Sequence, residues 1–317
     1  TFQAGALATQ SAPKAQYQTL TTEESVSHYD MLCNLELPRA EHFSLMSYCR
    51  NRGIEFFSTP FDIDSLRFLV DELGLTRLKI PSGELTNGPL LLAAGESHAK
   101  SIILSTGMAT MDEVRDACGA LVYGILGGRS PGISAFRETL ASSEGRQALQ
   151  ECITILHCTT EYPAPIEEVN LRAMETIREE FGVSIGYSDH TAGIWASVAA
   201  VAVGAEIIEK HFTLDRTLPG PDHAASLEPD ELADMITGIR AVEASLGDGV
   251  KAPTPREIKN IGIARKSLTA LTSIPQGHIV SAENLTAKRP GDGLSPMLYW
   301  DYIGRPADRD YDADDPI

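Results

Sequence analysis

The chain lacks the cysteine pattern of a disulfide-stabilised or zinc-ribbon protein. It has five cysteines in 317 residues, an odd number with no CxxC pair. Scattered cysteines of this kind are typical of reduced thiols in a reducing compartment. No apolar run approaches the roughly 20 residues that a membrane-spanning helix requires. We therefore expect a soluble, cytoplasmic protein without a membrane partner.

Basic residues are also scarce. The chain has 26 Lys and Arg against 44 Asp and Glu, which gives a formal net charge of −18. Nucleic acids and anionic membranes bind proteins with dense Lys and Arg, so this balance argues against both as partners. If the substrate is an anion, basic residues must be concentrated locally to bind it.

A third absence is the dinucleotide-binding motif G-x-G-x-x-G after the first strand-like run. Short β-prone runs alternate with longer amphipathic stretches, a pattern typical of a parallel sheet with helical connections. The runs are GIEFFS 53–58, TRLKIPS 76–82, SIILST 101–106, ITILHC 153–158, VSIGYS 183–188 and AEIIEKHF 205–212. Polar residues follow nearly every run. Because a barrel gathers all its strand ends around one mouth, we predict a (β/α)8 TIM barrel.

Six runs are two fewer than a complete barrel needs, so we expect two further strands upstream of Thr1. The Gly-rich segment 123–136 is predicted to be a loop or insertion, with a helix near 137–150. After residue 250 the pattern changes to short alternating runs with many turn residues. We predict a barrel domain over 1–250 and a linker with a small β module over 251–317.

Two histidines follow consecutive predicted strands, His190 in YSDHTAG and His211 in IIEKHFT. Neighbouring strands lie about 4.8 Å apart, so both imidazoles can reach one point at the mouth. This suits a two-histidine metal site with positions left for water and substrate, and two unrelated hydrogen-bonding residues are the alternative. Ligand distances of about 2.1 Å set a limit of about 5 Å on the separation of the imidazoles.

The residues beside these histidines cannot form a hydrolase triad. Ser188, Asp189 and His190 are neighbours on an extended chain, whose side chains point to alternate faces, whereas a triad is assembled in space. By the same alternation the side chains of the neighbours Lys210 and His211 face opposite sides of their strand. Lys210 is therefore predicted to face the helices or a salt bridge.

Lys79 lies near the end of a predicted strand and is followed by Ser82 and Glu84. A lysine at this position can form a Schiff base with a carbonyl substrate or hold a phosphate. The hydroxyls of Ser105 and Ser188 lie at the same predicted rim. Together these residues predict an anion pocket within an acidic protein.

Seven motifs follow one another along the chain: KIPSGELTN, ILSTGMAT, HCTTEYPAP, NLRAM, GYSDHT, EKHFTLDRTLPGPDHAASLEPDEL and KRPGDGLSPM. Together they closely resemble the N-acetylneuraminate (sialic acid) synthase family, which includes bacterial synthases of legionaminic and other nonulosonic acids. The resemblance implies a (β/α)8 barrel followed by an antifreeze-protein-like (SAF) module. It implies condensation of phosphoenolpyruvate with an N-acetylmannosamine-type sugar, with release of phosphate by C–O cleavage. It also implies a divalent metal, usually Mn²⁺ with Mg²⁺ or Co²⁺ as alternatives, and a domain-swapped homodimer.

Motif matching carries the family's functional residues onto this sequence. The implied metal ligands are His190 and His211. The implied phosphoenolpyruvate-binding residues are Lys79, Ser82, Ser105 and Ser188. The implied sugar-side residues are Thr59, Glu84, Thr160, Tyr162, Asp222 and, from the partner subunit's SAF module, the residue matching Arg289. The candidate catalytic residues are Lys79, Glu84, Glu209 and Asp222.

The sequence departs from the family pattern in two ways. The family's first strand, with an acidic residue, and its second strand, with a Lys and a Gln, have no counterpart here, so the chain as given is expected to hold an incomplete site. Thr160 stands where the sialic acid enzymes often have Asn, which affects the choice of sugar.

Three other functions are compatible with parts of the pattern. A legionaminic acid synthase would use a diacetamido-trideoxy sugar in the same reaction. A Schiff-base aldolase using Lys79 would need no metal and release no phosphate. A non-catalytic sugar-binding protein would have no need for two metal-ready histidines beside an anion pocket, so the sequence favours the synthase.

Overall fold

The computed structural model describes residues 1–22 and 25–317. Their contacts divide the chain into two compact units, Thr1–Leu246 and Gly247–Ile317. The division falls close to the boundary predicted after residue 250. Across the described ranges, no helix combines the length and the apolar character of a transmembrane span.

The first unit is built on a parallel sheet whose five strands lie side by side in chain order. Parallel neighbours require a crossover connection, and helices supply it, as the alternating sequence pattern predicts. The strands are β1 (Arg77–Ile80), β2 (Ser101–Ser105), β3 (Ile153–Cys158), β4 (Ser184–Asp189) and β5 (Ile207–Lys210).

The sheet is curled into part of a barrel. Lys79 belongs to β1 and Glu209 to the last residues of β5, the two edges of the sheet, yet the Lys79 Nζ lies 2.7 Å from both carboxylate oxygens of Glu209. In a flat sheet these strands would be about 19 Å apart, four strand spacings of about 4.8 Å. The contact is therefore possible only because the sheet rolls its edges towards each other.

Helices precede, connect and follow the strands of this sheet. They are α1 (Ala4–Leu7), α2 (Gln16–Thr21), α3 (His28–Leu35), α4 (Arg39–Arg52), α5 (Ile63–Arg67), α6 (Gly88–Glu96), α7 (Met111–Ile125), α8 (Ile133–Ala141), α9 (Ser143–Cys152), α10 (Ala173–Phe181), α11 (Trp195–Ala202) and α12 (Pro229–Leu246). Short 3₁₀ turns at Ser82–Glu84, Ile166–Glu168 and His223–Ala225 and a π-helical turn at Phe68–Glu72 complete the unit.

Local signals account for several helix ends. The Thr110 side chain accepts from the Glu113 N–H and the Glu113 carboxylate accepts from the Thr110 N–H, a capping box that starts α7. Helix α10 ends at Gly182, whose positive φ of 65° suits glycine.

The main core lies between the sheet and these helices. Apolar residues at alternate strand positions, each at most 1% exposed, pack against the helices: Leu78, Ile80, Ile102, Leu104, Ile155 and Ile185. Full burial of such a side chain contributes about 1.5–3 kcal/mol. The intervening strand residues face the interior of the curled sheet, where polar side chains gather.

The predicted strand 53–58 is wrong. The sheet has five strands, and residues 54–60 carry no strand assignment. Phe56 packs against the core, and Glu55 makes a 3.5 Å ion pair with Arg77 of β1. A strand needs a neighbour that pairs its backbone N–H and C=O groups, and β-prone composition alone does not provide that ladder.

The segment after β2 also differs from its prediction. The predicted loop 123–136 is half helical, because α7 continues to Ile125 and α8 begins at Ile133, and only residues 126–132 form the connection. The helix predicted near 137–150 is two helices that meet at Ser142. The Ser142 hydroxyl accepts from the Gly145 N–H and so caps the second one.

The second unit has its own small core. Strands β6 (Ser267–Ala270) and β7 (Leu285–Lys288) pair antiparallel, preceded by α13 (Pro255–Ala264) and followed by the short α14 (Tyr299–Tyr302). Its buried residues are Leu268, Ala270, Ile274, Val280, Leu285, Ala307 and Tyr311. Short strands with many turns are the architecture that the sequence predicts here.

Helices α6 and α7 approach closely at two glycines. A Cβ on Gly95 would lie 2.2 Å from the Leu121 carbonyl oxygen and 3.1 Å from the Gly124 Cα. We predict that Gly95→Ala lowers the free energy of unfolding by about 1–3 kcal/mol, because the added methyl overpacks this contact. Chemical denaturation followed by circular dichroism measures the loss. The control is Gly88→Ala in the same helix, where a Cβ meets nothing within 4 Å; equal stability of the two variants would contradict the close approach.

Candidate active site

A cavity of about 390 Å³ opens at the carboxyl ends of the strands of the first unit. This is the end at which parallel barrels gather functional side chains. The predicted site residues that line it are Thr59, Lys79, Ser82, Ser105, Tyr162, Ser188, His190, Glu209, His211 and Asp222. The fold therefore brings together residues from five strands and their following loops.

Lys79 is bound by Glu209 at the base of this cavity. The ammonium contacts both Glu209 oxygens at 2.7 Å, and the Ser188 hydroxyl donates to Glu209 Oε1 at 2.6 Å. Burial opposes ionisation of Glu209, but the charge of Lys79 and the hydrogen bonds from Lys79 and Ser188 outweigh it and lower the pKa of the carboxyl below its usual range. The pair is therefore ionised, and Lys79 is a charged donor.

His190 is held in one orientation and one tautomer. It is buried, and its Nδ1 lies 2.6 Å from the Thr159 carbonyl oxygen, so Nδ1 carries the proton and donates it. Burial lowers the pKa of His190, and the hydrogen bond to Thr159 offsets this only in part. Nε2 lies 3.4 Å from the Ser188 hydroxyl, which gives its proton to Glu209. The Nε2 lone pair is therefore available at the cavity.

His211 faces His190 across the same cavity. The ring centroids are 5.4 Å apart, and His211 Nδ1 lies 3.9 Å from Asp222 Oδ2. The centroid distance exceeds the 5 Å limit set from the sequence, but that limit is too strict for ring centres. Each ring centre lies about 3.2 Å from an ion that its nitrogen binds, so two ligand rings can be separated by up to about 6.5 Å.

The imidazole nitrogens of His190 and His211 suit a divalent ion but are only part of a complete ligand set. Metal-ligating imidazoles usually donate their other N–H to a carbonyl or carboxylate, which is the arrangement of His190 with Thr159. Within residues 1–22 and 25–317, no group of three or more His, Cys, Asp or Glu side chains forms a complete metal site. His190 and His211 would offer a divalent ion two ligands and leave its other positions for water and substrate.

The cavity has no excess of positive charge from its own described residues. Lys79 is balanced by Glu209, the charge of Lys210 is balanced by Asp189 behind the cavity wall, and Asp222 adds one negative charge, so the sum is −1 before the histidines are counted. The Lys79 charge expected to bind an anion is already paired. A bound divalent cation would reverse the sign of the local charge.

Lys210 faces the helices and a salt bridge, as its alternation with His211 predicts. Its Nζ lies 3.0 Å from Asp189 Oδ2, and the two side chains are 3% and 0% exposed. Burial lowers the pKa of Lys210, and the charge of Asp189 opposes that change. The pair is located immediately before the two histidines in the chain.

Three predicted site residues do not line the cavity. Glu84 ends a 3₁₀ turn, and its carboxylate accepts from Asn87 Nδ2 at 2.7 Å. The Thr160 hydroxyl lies 3.3 Å from the Ser82 hydroxyl, one layer behind the cavity wall. Arg289 is an exposed residue of the second unit, where it lines a cavity of about 400 Å³.

The sequence analysis missed two residues of the site, Tyr17, which no sequence signal marks, and Cys158, which ends β3 and so fits the strand-end pattern. Tyr17 of α2 stacks on Tyr162 with ring centroids 4.9 Å apart, and Tyr162 stacks on His190 at 4.2 Å. The Cys158 thiol lines the cavity and accepts from the Gly107 N–H at 3.1 Å; burial raises its pKa. Tyr17 lies outside the strand-end pattern, so only the folded chain shows its place.

Comparison with known proteins agrees with this fold. Residues 1–251 match the NeuB family and residues 265–317 match the SAF domain. The chain is 45% identical over 306 residues to the N,N'-diacetyllegionaminic acid synthase of Campylobacter jejuni, covering 96% of this chain and 84% of that protein. It is 33% identical over 286 residues to human N-acetylneuraminate-9-phosphate synthase, covering 90% and 72%.

A solved structure shows the same likeness. The crystal structure of N-acetylneuraminic acid (sialic acid) synthetase from Leptospira borgpetersenii in complex with citrate matches with a TM-score of 0.62 and 34% identity, over 74% of this chain and 72% of that one. The curled parallel sheet with its strand-end cavity is thus a partial TIM barrel of the sialic acid synthase type. The chain belongs to the NeuB family and carries a SAF domain at its C-terminal end.

We predict that His190 in the metal-free protein is a neutral imidazole protonated on Nδ1 at pH 7. Its pKa is lowered by burial, so the neutral form persists below the pH at which an exposed histidine is protonated. Long-range ¹H–¹⁵N NMR identifies the protonated nitrogen, and His190→Gln assigns the signal. A doubly protonated ring, or a proton on Nε2, would show that the lone pair is not presented to the cavity.

Proposed function

We propose that this protein is a nonulosonic acid synthase that condenses phosphoenolpyruvate with an N-acylated mannosamine-type sugar and releases phosphate. The observation that carries the proposal is the cavity in which two histidines lie beside a lysine and several hydroxyls, in a chain of the NeuB family. Relatives named as synthases of legionaminic acid and of N-acetylneuraminate 9-phosphate support the same reaction class.

The phosphoenolpyruvate end of the cavity is assigned to Lys79 and the nearby serines. The Ser105 hydroxyl is buried and has no hydrogen-bond partner among the described residues, so it is available to a ligand oxygen. Ser82 and Ser188 offer further hydroxyls on the same wall. Glu209, kept ionised, holds the Lys79 ammonium and the Ser188 hydroxyl in place for the departing phosphate.

The sugar end is assigned to Thr59, Tyr162 and Asp222, which line the cavity beside the histidines. We propose a divalent ion, Mn²⁺ by preference, on His190 and His211; when bound, it acts as a Lewis acid towards the aldehyde of the open-chain sugar. The Thr159 carbonyl orients the His190 imidazole from behind, and the Asp222 carboxylate lies 3.9 Å from His211 Nδ1. Tyr162 packs against the His190 ring and closes this side of the cavity.

The chemistry follows from these positions. C3 of phosphoenolpyruvate forms a bond to the aldehyde carbon as the C=O π bond opens and its oxygen takes up a proton to become a hydroxyl, and positive charge develops at C2. Water adds at C2, and the tetrahedral intermediate loses the remaining proton of that water and expels phosphate by cleavage of the C–O bond, which leaves a ketone at C2. Lys79 and the serines stabilise the negative charge of the phosphate as it leaves.

A second candidate concerns the identity of the sugar. Identity to the diacetyllegionaminic acid synthase is 45%, against 33% to the N-acetylneuraminate-9-phosphate synthase. This difference favours a diacetamido-trideoxy sugar as the acceptor, with N-acetylmannosamine as the alternative. The five cysteines are free thiols, which supports the proposed cytoplasmic location.

We predict that phosphate release from phosphoenolpyruvate requires both a sugar and a divalent ion. With metal-depleted protein the rate should fall at least tenfold and return on addition of Mn²⁺, and the diacetamido-trideoxy sugar should give the higher kcat/KM of the two sugars. Phosphoenolpyruvate labelled with ¹⁸O in the bridging position should yield labelled phosphate, because the C–O bond breaks. A matched control is Glu243→Gln, a change in an exposed ion pair on α12.

Two results would reject this function. Full activity in EDTA would remove the metal from the mechanism. Borohydride trapping of a covalent adduct on Lys79 in the presence of substrate would favour the aldolase, which uses a neutral amine instead of the paired ammonium seen here.

The proposed partner is a second copy of the chain. Arg289 belongs to the second compact unit, is exposed, and makes no ion pair with any residue in the described ranges. We propose that it completes the sugar pocket of the neighbouring subunit, because a guanidinium presents a rigid set of donors to a carbonyl or hydroxyl.

Mixing two inactive variants tests this arrangement. His190→Ala removes a proposed metal ligand from the barrel, and Arg289→Ala removes the arginine from the SAF module. In a heterodimer, one site combines an intact barrel with the other chain's intact module, so up to one of the two sites should work. Phosphate release is measured after subunit exchange, with a mixture of two His190→Ala preparations as control. Absence of recovery despite proven exchange would rule out delivery across the interface.

A further inference from the structure

A buried ion pair lies directly behind the two histidines. Asp189 and Lys210 are partners in the parallel register of β4 and β5, and each is followed in the chain by one of the histidines. Their side chains are 0% and 3% exposed, with 3.0 Å between Lys210 Nζ and Asp189 Oδ2. No other described ion pair joins two side chains that are both less than 10% exposed.

The pair does not face the reacting groups. Residues in parallel register face one side of a sheet, and Ser188 and Glu209, one position earlier, line the cavity. Asp189 and Lys210 therefore point to the helical side, and the Ser197 hydroxyl of α11 donates to Asp189 Oδ2 at 2.6 Å. A buried ion pair is often no more stabilising than an apolar pair of equal size.

Apart from the bond with Ser197, the described hydrogen bonds of the pair go to Thr191, the residue after His190. Asp189 Oδ1 accepts from the Thr191 N–H and from the Thr191 hydroxyl, each at 2.8 Å. Lys210 Nζ donates to the Thr191 carbonyl oxygen at 2.5 Å. The pair thus ties the residue after His190 to the residue before His211, and links the ends of β4 and β5 at the point where both imidazoles begin.

We infer that the Asp189–Lys210 pair is a positioning element that sets the relative placement of His190 and His211, and through it the affinity for the divalent ion. The inference rests on the proposed function for its metal, and on the hydrogen bonds above for its geometry. Neither residue is assigned a contact with substrate in the proposed function. Loss of the pair should let the two strand ends move independently, which changes the distance between the imidazole nitrogens.

The test is the double variant Asp189→Asn with Lys210→Met, which removes both charges and leaves neither one unpaired. Its matched control is Asp116→Asn with Arg137→Met, which removes an ion pair on the helical surface. Mn²⁺ affinity is measured by the electron paramagnetic resonance signal of free Mn²⁺, and folding by the thermal midpoint. We expect the Kd for Mn²⁺ to rise 10–100-fold in the test variant and to stay unchanged in the control.

A readout without metal separates this inference from the proposed function. In the metal-free protein the His190 Nδ1–H, now bound to Thr159, should exchange with solvent faster in the test variant than in the control. If the wild type binds no Mn²⁺ but this exchange difference is present, the metal assignment fails and the positioning role stands. If the test variant has the same Kd for Mn²⁺ and the same His190 Nδ1–H exchange rate as the wild type, the inference is wrong.

If the double variant does not fold, Thr191→Val serves instead. It keeps both charges and the side-chain volume but removes the hydroxyl that donates to Asp189. A several-fold rise in the Kd for Mn²⁺ is expected at an unchanged thermal midpoint. Unchanged affinity and unchanged Nδ1–H exchange in this folded variant would overturn the positioning role.

Discussion

The contact between Lys79 and Glu209 is the constraint on which the site depends. It joins the first and the last strand of the sheet at 2.7 Å, so it requires the sheet to curl, and a curled sheet turns its strand ends into the wall of one cavity. The two histidines are neighbours in any parallel sheet with this strand order. The lysine and the serines reach them only because the edges roll together.

The end of β4 shows how one strand serves two purposes. Ser188 and His190 face the cavity and supply a hydroxyl and an imidazole nitrogen, while Asp189 between them faces the helices and binds their Ser197 and the neighbouring Lys210. The period of two in an extended chain makes this division automatic. Consecutive residues of β4 thus supply both the groups that face the cavity and the carboxylate that holds the strand end in place.

Charge balance connects this geometry to function. Lys79 is paired by Glu209, and the cavity's described charged groups sum to one negative charge. An anionic substrate therefore needs an additional cation close by, and His190 presents a neutral nitrogen on which one can bind. In an acidic protein, local arrangement decides what the cavity binds, and net charge does not.

The sequence by itself determined the fold class, the two-part organisation and the strand-end residues of the cavity, because periods of 2 and 3.6 and strand-end polarity are local properties of the chain. Resemblance to the sialic acid synthase family, and not local pattern, indicated Thr59, Tyr162 and Asp222. Tertiary structure decided the rest. GIEFFS 53–58 has the composition of a strand but no backbone partner, and Tyr17 lies on Tyr162 only once the chain has folded. Lys79 and Glu209 are in contact in the folded chain although they are 130 residues apart in the sequence. Pairing of this kind depends on contacts between distant segments, which no local pattern encodes.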